Sequence, residues 1–495
     1  MLLAIDQGSS STKAILVDGA GLIRARALVP LAETHPRPGW VEQDPLAVWQ
    51  SVQRAVQDCL DGQDSRAIVA VGLSTQRESI VIWDRRTGEP LTPLLSWQDR
   101  RSAALCDALR DPEAENLVRA RSGLPLDPMF SAAKAAWLLQ CHQEAAAMAR
   151  AGNIVIGTVD SWLLSRFGGD PVTEIGNASR TQLLHTAEGA WDDDLLRFFG
   201  VPRAVLPQLV ASTGPFPATR GLSPVPDGTP VLAVMGDSHA ALFAHGAFAP
   251  GQVKVTYGTG SSVMGLVPGS AAKDRGVCLT IAWQMAGDRC PAFAAEGNIR
   301  ATGAALRWMA TILGMSVEAM TDLGARSASR GAVLVPAFTG LGAPWWDRNA
   351  VGVISNLELE TGPGQLARAA MEAVVHQVAD VVEAISQQVG AIGEIFVDGG
   401  PSGNRALMQM QADVLACPIY RSEAAELSAL GVAHMAGLAA GVWDRDGLMA
   451  LPRPREALAP QPHDNDRAAE RAHWQAAVGI ARSGSGRTMS TQKTA

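Results

Sequence analysis

Short apolar runs alternate with polar turns at the start of the chain. An apolar run over residues 2–5 is followed by a polar segment over 6–13 and a second apolar run over 14–17. The sequence Asp-Gly-Ala-Gly then occupies 18–21. Apolar runs bounded by turn residues are typical of buried strands, so we predict a strand, a tight polar loop, a second strand and a hairpin turn.

Helical and strand periodicities alternate after this hairpin. Apolar residues recur at helical spacing over 46–60, which predicts a helix. The runs 68–73 and 79–83 predict two further strands. Strands that alternate with helices favour an α/β fold.

The opening pattern returns after the middle of the chain. A strand-like run over 251–257 stops at a Gly-Thr-Gly-Ser-Ser turn, after which apolar residues resume. This repetition indicates a duplicated domain. We therefore predict an N-terminal domain over 1–247, a C-terminal domain over 248–445 and an extension over 446–495 whose end is disordered, since its last residues lack apolar periodicity.

Composition excludes several classes of function. The net charge is −8 and no long Lys/Arg run occurs, so we do not expect a nucleic-acid partner. No apolar run is long enough to span a membrane and no signal peptide is visible, which predicts a cytoplasmic protein without a membrane partner. The six scattered cysteines contain no CxxC pair, which favours buried free thiols over zinc or disulfides.

The first candidate site is the segment DQGSSSTK at 6–13. Gly and Ser crowd the predicted turn, so N–H and hydroxyl donors can converge there on phosphate oxygens. Lys13 can add a positive charge, and Asp6 can hold Mg²⁺ through water. An ordinary polar hairpin loop explains the segment equally well. No GxxxxGK[ST] motif occurs, which excludes a Walker-type loop.

Twelve motifs in order resemble the FGGY carbohydrate kinase family, with the glycerol kinase branch as the nearest pattern. They are DQGSSSTK (6–13), PGWVEQDP (38–45), TQRE (75–78), WQDRR (97–101), DPMFSAAKAAW (127–137), GTVDSWL (157–163), NASRT (177–181), GDSHAALF (236–243), TYGTGSS (256–262), EGNIRATGAALRW (296–308), VPAFTGLGAPWWD (335–347) and VDGGPSGN (397–404). The resemblance implies two ribonuclease-H-like, actin-like ATPase domains with an interdomain cleft.

The resemblance also implies a role for Asp237, which follows an apolar run and precedes an Ala-rich segment. It would be the general base that takes a proton from the attacking hydroxyl. The alternative is a helix N-cap, a frequent use of Asp, and one residue can serve both purposes.

Further residues are implied to bind substrate. Arg77 donates and Glu78 accepts, so together they can hold adjacent hydroxyls, although a surface salt bridge is the alternative. Trp97 offers a flat apolar wall to a sugar, although core packing is its commoner use.

The implied cofactors are ATP and Mg²⁺, the metal held by Asp6. Residues implied to bind the nucleotide are Ser9, Ser10, Ser11 and Lys13 in the first phosphate turn, Gly258, Thr259 and Gly260 in the second, and Gly303, Gly400 and Asn404 around the adenosine. The glycines would let the backbone approach the nucleotide closely, although a turn role is the alternative for Gly303.

Three substrate-wall positions depart from the glycerol kinase pattern. Met129 stands where that branch has Tyr, Ser238 where it has Gln and Ser262 where it has Phe. These changes predict a wider pocket. In such a pocket glycerol would lose contacts and longer acceptors would gain room. Around ATP, Lys13 replaces Arg, and Arg307 replaces Gln, so Arg307 is not assigned to the nucleotide site.

We therefore expect an ATP-dependent kinase that phosphorylates a primary hydroxyl of a small polyol or sugar, larger than glycerol. The alternatives are glycerol kinase proper and, from another class, a non-catalytic sugar- or nucleotide-sensing protein on the same fold. Family members often assemble, so a homodimer or homotetramer is expected from the resemblance alone.

Overall fold

The computed structural model describes residues 1–270, 276–461 and 467–484. Its strands are β1 (Leu2–Gln7), β2 (Ser11–Val17), β3 (Ile23–Pro30), β4 (Glu42–Gln43), β5 (Ala70–Thr75), β6 (Ile80–Asp84), β7 (Leu94–Leu95), β8 (Ile154–Thr158), β9 (Val172–Glu174), β10 (Leu184–His185), β11 (Ala190–Trp191), β12 (Gln208–Val210), β13 (Val231–Gly236), β14 (Gln252–Tyr257), β15 (Ser261–Val267), β16 (Cys278–Trp283), β17 (Ala292–Ile299), β18 (Val333–Val335), β19 (Val353–Ser355), β20 (Glu394–Asp398), β21 (Ile419–Ser422) and β22 (Arg455–Leu458).

The helices alternate with these strands. They are α1 (Pro45–Cys59), α2 (Ala103–Leu109), α3 (Pro112–Ser122), α4 (Ser131–Cys141), α5 (Gln143–Arg150), α6 (Val159–Ser165), α7 (Ile175–Ala178), α8 (Asp193–Phe199), α9 (Asp237–Ala244), α10 (Gly303–Ile312), α11 (Val317–Ala325), α12 (Pro363–Val389), α13 (Arg405–Leu415), α14 (Leu427–Ala439), α15 (Arg445–Ala450) and α16 (Arg467–Ser483), with short 3-10 turns at Ser65–Ala67, Arg203–Val205 and Gly400–Gly403.

The first sheet is built from the N-terminal half of the chain. Within the described residues its strand order is β13-β5-β1-β2-β3. The strands β1, β2 and β3 form an antiparallel meander, whereas β5 and β13 run parallel to β1. Every residue of β1 is buried because this central strand is covered on both faces, which explains its uninterrupted apolar run.

The second sheet repeats this arrangement in the C-terminal half. Its order within the described residues is β16-β17-β15-β14-β20-β21-β22. Antiparallel β14, β15 and β17 match the meander, and β20 and β21 continue in parallel from β14. The duplication that the sequence predicts is therefore visible as one strand topology used twice.

Two helices pack closely where the halves meet. The helix α9 follows the last strand of the first sheet, and α14 comes from the second half of the chain yet packs on β1 and β5. A Cβ added to Gly431 of α14 would lie 1.7 Å from the carbonyl oxygen of Ala240 in α9. Glycine is required at this crossing because no side chain fits between the two backbones.

The predicted elements agree well with the observed ones. The hairpin, the helix over 46–60 and the strands after it are confirmed as β1, β2, α1, β5 and β6. The prediction that all cysteines are buried is wrong for Cys141 and Cys290, which are exposed. The predicted disorder at the chain's end concerns residues that, from 485 onward, lie outside the described part. No helix among the described residues is long and apolar enough to cross a membrane.

Candidate active site

The carboxyl ends of three parallel strands form one edge of the first sheet. Asp6 lies near the end of β1, Arg77 and Glu78 follow β5, and Asp237 directly follows β13 as the first residue of α9. The hydroxyl of Ser74 in β5 donates to Oδ1 of Asp6 at 2.9 Å. Parallel strands place their carboxyl ends together, which is why residues far apart in sequence meet here.

The carboxylate of Asp237 is partly exposed and has two close polar neighbours. Its side chain keeps 39% exposure, and the amide N–H of Ser238 donates to its Oδ1 at 2.6 Å. The Nε atom of Arg77 lies 3.3 Å from the same oxygen. Burial raises the pKa of Asp237, Arg77 opposes that shift and Glu78 adds to it. A carboxylate with a raised pKa is a stronger base than free aspartate.

A buried network of two arginines and two glutamates adjoins Asp237. Arg77 donates from both terminal nitrogens to Glu296, at 2.8 and 2.6 Å. Arg180 donates to Oε1 of Glu78 at 2.6 Å, and its Nη1 lies 3.1 Å from Glu296. Two positive and two negative charges compensate one another, as burial requires. The remaining Nε of Arg77 is buried without a hydrogen-bond partner among the described residues.

The backbone at Glu78 is held in an unusual conformation. Its φ of 60° lies in the left-handed region, which non-glycine residues rarely adopt. Its carbonyl accepts hydrogen bonds from the Ser131 hydroxyl at 3.0 Å and from Lys134 Nζ at 3.3 Å. Lys134 also donates to the carbonyl of Met129. One buried ammonium group therefore links two residues that the sequence assigned to substrate binding.

The other predicted wall residues lie around this network. Trp97 is 39% exposed, and its indole N–H donates to the hydroxyl of Ser9 at 3.0 Å, so it contacts the turn at residues 8–11. Ser262 donates to Glu296 at 3.2 Å. Ser238 is half-buried beside Asp237. Their contact with a sugar stays a prediction.

The first phosphate turn, residues 8–11, closes through a hydrogen bond from Gly8 N to Ser11 O at 3.0 Å. Ser10 is exposed at its tip. Lys13 lies directly across the hairpin from Asp6. Burial raises the pKa of Asp6 to about 6, while Lys13 opposes the shift.

The second phosphate turn, residues 258–260, rests on the start of α10. Gly258 N donates to Gly260 O at 2.7 Å, and Arg307 of α10 donates to the Thr259 hydroxyl at 3.3 Å. A Cβ added to Gly260 would lie 2.2 Å from the carbonyl oxygen of Ile299. Arg307 was not assigned to the site from the sequence. It nevertheless contacts Thr259, a residue predicted to bind phosphate.

The three residues predicted around the adenosine have different surroundings. A Cβ on Gly303 would lie 2.5 Å from the Gly258 carbonyl oxygen, so this glycine lets the turn pack on α10. A Cβ on Gly400 would meet nothing within 4 Å. Asn404 caps α13 by accepting from Leu407 N at 2.9 Å. The open space beside Gly400 suits the close approach of a ligand.

These residues fit Mg²⁺ and a nucleotide. Asp6 is a buried carboxyl, and Mg²⁺ is usually bound by one or two carboxylates while it keeps several waters. The buried Nζ of Lys254 in β14 has no hydrogen-bond partner within the described residues and can face an anionic group. Asp6 would hold the metal, and the two phosphate turns would hold the phosphates.

Sequence reasoning missed several residues of this site. Arg180 and Glu296 lie inside motifs that were recognised, yet neither was given a role. A glutamate within the apolar strand β17 was the available signal, because a buried charge needs a partner. His239 also adjoins the network, with its Nε2 at 3.3 Å from Arg77 Nη1.

Two halves with one repeated strand topology, a Gly/Ser-rich turn on each and a partly exposed carboxylate at the carboxyl edge of the first sheet fit a carbohydrate-kinase class of phosphotransferase. The sequence matches the FGGY family of carbohydrate kinases over both of its domains, the N-terminal domain at residues 1–244 and the C-terminal domain at 253–440. The chain belongs to this family.

Curated relatives match over nearly the whole chain. An apulose kinase of Pectobacterium atrosepticum is 42% identical over 490 residues, covering 97% of this chain and 98% of the relative. A glycerol kinase of Aromatoleum aromaticum is 40% identical over 494 residues, with 97% and 98% covered. The crystal structure of Plasmodium falciparum glycerol kinase with ADP superposes with a TM-score of 0.89 at 27% identity, covering 97% of this chain and 98% of that one. The predicted family and fold are confirmed.

Proposed function

We propose that this carbohydrate kinase transfers the γ-phosphoryl group of ATP to a primary hydroxyl of a sugar or polyol, with Asp237 as the general base. The observation that carries the proposal is the partly exposed carboxylate of Asp237 at the carboxyl edge of the first sheet, where it accepts from Ser238 N and lies close to Arg77 Nε. ATP with Mg²⁺ is the cofactor pair of this family.

The side chains around Asp237 support a division of labour. Asp237 would accept the proton of the attacking hydroxyl. The free Nε of Arg77 would donate to a neighbouring hydroxyl, and Oε2 of Glu78 would accept from one. Bound Mg²⁺ would supply charge neutralisation at the phosphates. Closure of the two halves would exclude water, the competing acceptor.

We further propose that the preferred acceptor is larger than glycerol, such as a longer polyol or a ketose. Serine at 238 and 262 and methionine at 129 leave shorter or more flexible walls than the glycerol kinase pattern. The relatives include both an apulose kinase and glycerol kinases at similar identity, so similarity alone does not separate the two.

Substitution of the base tests the mechanism. Asp237→Asn should lower kcat by about 10²–10⁴-fold, the usual contribution of a general base. ATP binding, measured by calorimetry, should stay close to that of the unchanged protein. The exposed acid Asp227, changed to Asn, is the matched control and should retain full activity. A non-catalytic sensor would show no phosphoryl transfer in the unchanged protein or in Asp237→Asn.

An acceptor panel tests the substrate. ADP release should be measured with glycerol, tetritols, pentitols and pentuloses, in the unchanged protein and in Ser262→Phe. We expect a pentulose or pentitol to give the highest kcat/KM, and Ser262→Phe to shift the preference toward glycerol. Glycerol as the best acceptor by a wide margin would instead favour glycerol kinase proper.

Three lesser expectations accompany the proposal. A cytoplasmic location and a homodimeric or homotetrameric assembly stay predictions, as do the domain boundaries at 247/248 and 445/446. Size-exclusion chromatography with light scattering would measure the assembly.

A further inference from the structure

Glu296 lies on the opposite half of the molecule from the side chains that it holds. It belongs to β17 in the second sheet and is fully buried. Arg77 and Arg180, which bind it, both come from the N-terminal half. Its carboxylate is therefore the point where two guanidinium groups of one half meet the other half.

The buried carboxylate of Glu296 needs a hydrogen-bond or ion-pair partner at each oxygen. A buried carboxylate is costly unless paired, and Arg180 and Arg77 hold the pKa of Glu296 well below its ordinary range despite its burial. Ser262 and Asn298 each donate to its Oε1 at 3.2 Å. The site thus has strong donors from both halves around one carboxylate.

The two hydrogen bonds from Arg77 to Glu296 fix the direction in which Nε of Arg77 points. A guanidinium group is planar, so binding both terminal nitrogens to one carboxylate sets the plane of the whole group. The remaining donor, Nε, then lies 3.3 Å from Asp237 Oδ1, beside the proposed base. Arg180 pairs with Glu296 and donates from Nε to Glu78. Glu296 therefore also positions Glu78, through Arg180.

We propose that Glu296 is a positioning residue that orients Arg77 and Glu78 for the sugar. The strand β16, which pairs with β17, is itself bonded to the N-terminal half, since Leu279 N donates to Gly123 O at 2.9 Å. Glu296 is therefore held at the contact between the halves, where it can fix both arginines. The inference rests on the proposed function, since it assigns Arg77 and Glu78 to the acceptor.

Kinetics of Glu296→Gln and Glu296→Asp test this role. Glutamine keeps the size but loses the charge, and aspartate keeps the charge but is too short to reach both arginines. With D-xylulose and glycerol as acceptors, Glu296→Gln should raise the acceptor KM by about 30-fold or more and leave the KM of ATP within about threefold, as expected when a charge-assisted contact is lost. Glu296→Asp should recover part of the loss.

The matched control is another ion pair between the halves, Arg348 with Asp107. Arg348→Gln should leave the acceptor KM unchanged. If Glu296→Gln instead lowers Tm while the acceptor KM stays within threefold, or raises both KM values alike, Glu296 is only structural and the inference is overturned.

Hydrogen exchange separates this inference from the proposed function. In the protein without ligands, peptides covering 76–79 should exchange about tenfold faster in Glu296→Gln and in Glu296→Asp than in Arg348→Gln, because the loop loses its anchor. Unchanged exchange in both Glu296 variants would contradict the inference. Absence of phosphoryl transfer in the unchanged protein would contradict the proposed function, while the exchange result would still decide the role of Glu296.

Discussion

The two phosphate turns have the same backbone setting but different chemistry. Each connects the first two strands of its sheet, β1 to β2 and β14 to β15. Asp6 and Lys13 flank the first turn and face each other across the hairpin. The corresponding facing pair of the second hairpin is Thr256 with Ser262, both uncharged.

The supports of the two turns also differ. The first turn is tied to neighbouring side chains, with Gln43 donating to Ser9 O at 2.6 Å and Trp97 donating to its hydroxyl. The second turn packs on backbone, because Thr302 N and Ala304 N both donate to Thr259 O at 3.0 Å. A duplicated fold thus supplies one turn that is flanked by Asp6 and Lys13 and held by side chains, and a second turn that is held by backbone hydrogen bonds.

Loss of the charge beside the first turn should have the largest effect. Asp6→Asn should lower kcat by about 10²–10³-fold, because the carboxylate assigned to Mg²⁺ is absent. The Mg²⁺ concentration for half-maximal activity should rise as well, which titration of ADP release against Mg²⁺ measures. Asp18→Asn, in the next turn of the same meander, is the control and should behave as the unchanged protein. Equal Mg²⁺ dependence in Asp6→Asn would remove Asp6 from the metal site.

A glycine-to-alanine substitution should be tolerated less well in the second phosphate turn than in the first. Gly260→Ala places a Cβ 2.2 Å from Ile299 O, whereas Gly8→Ala places one 3.3 Å from Ser11 O. Overpacking against backbone costs about 1–3 kcal/mol. We expect Gly260→Ala to lower Tm and raise the KM of ATP by about tenfold, with Gly8→Ala changing both far less. Equal effects of the two substitutions would contradict the difference in support.

The 3-10 turn that follows β20 offers a second matched pair. A Cβ added to Gly400 or to Gly403 meets nothing within 4 Å, so neither alanine should affect stability. If the nucleotide lies against Gly400, Gly400→Ala should raise the KM of ATP by about fivefold, while Gly403→Ala leaves it unchanged. Steady-state kinetics with varied ATP would show this. Identical KM values would place the nucleotide elsewhere.

The pH dependence should reveal the carboxylate that only the first turn possesses. Asp6 and Asp237 would both act in their ionised form, and burial raises the pKa of each, that of Asp6 to about 6. Activity should therefore be present at higher pH and fall as pH drops through these values, above the ordinary aspartate value of about 3.9. Added Mg²⁺ should shift the part of the pH–activity profile that reports the titration of Asp6 to lower pH. A kcat/KM profile that stays flat down to pH 4 would contradict both assignments.

The sequence by itself determined the first elements of the chain and the family to which it belongs. Local apolar patterns were sufficient for β1, β2, α1, β5 and β6, because each depends on neighbouring residues and on burial of a continuous run. Collinear motifs were sufficient for the family, since the order of motifs is itself one-dimensional information.

Only the tertiary structure decided which groups act on one another. Glu296 meets Arg77 across 219 positions of sequence, and no periodicity encodes a contact at that separation. The surroundings of Gly303 and Gly400 also became distinct only in three dimensions, one packed against backbone and the other facing open space. Pairing of buried charges and steric room are properties of surfaces brought together by folding, so a linear pattern does not contain them.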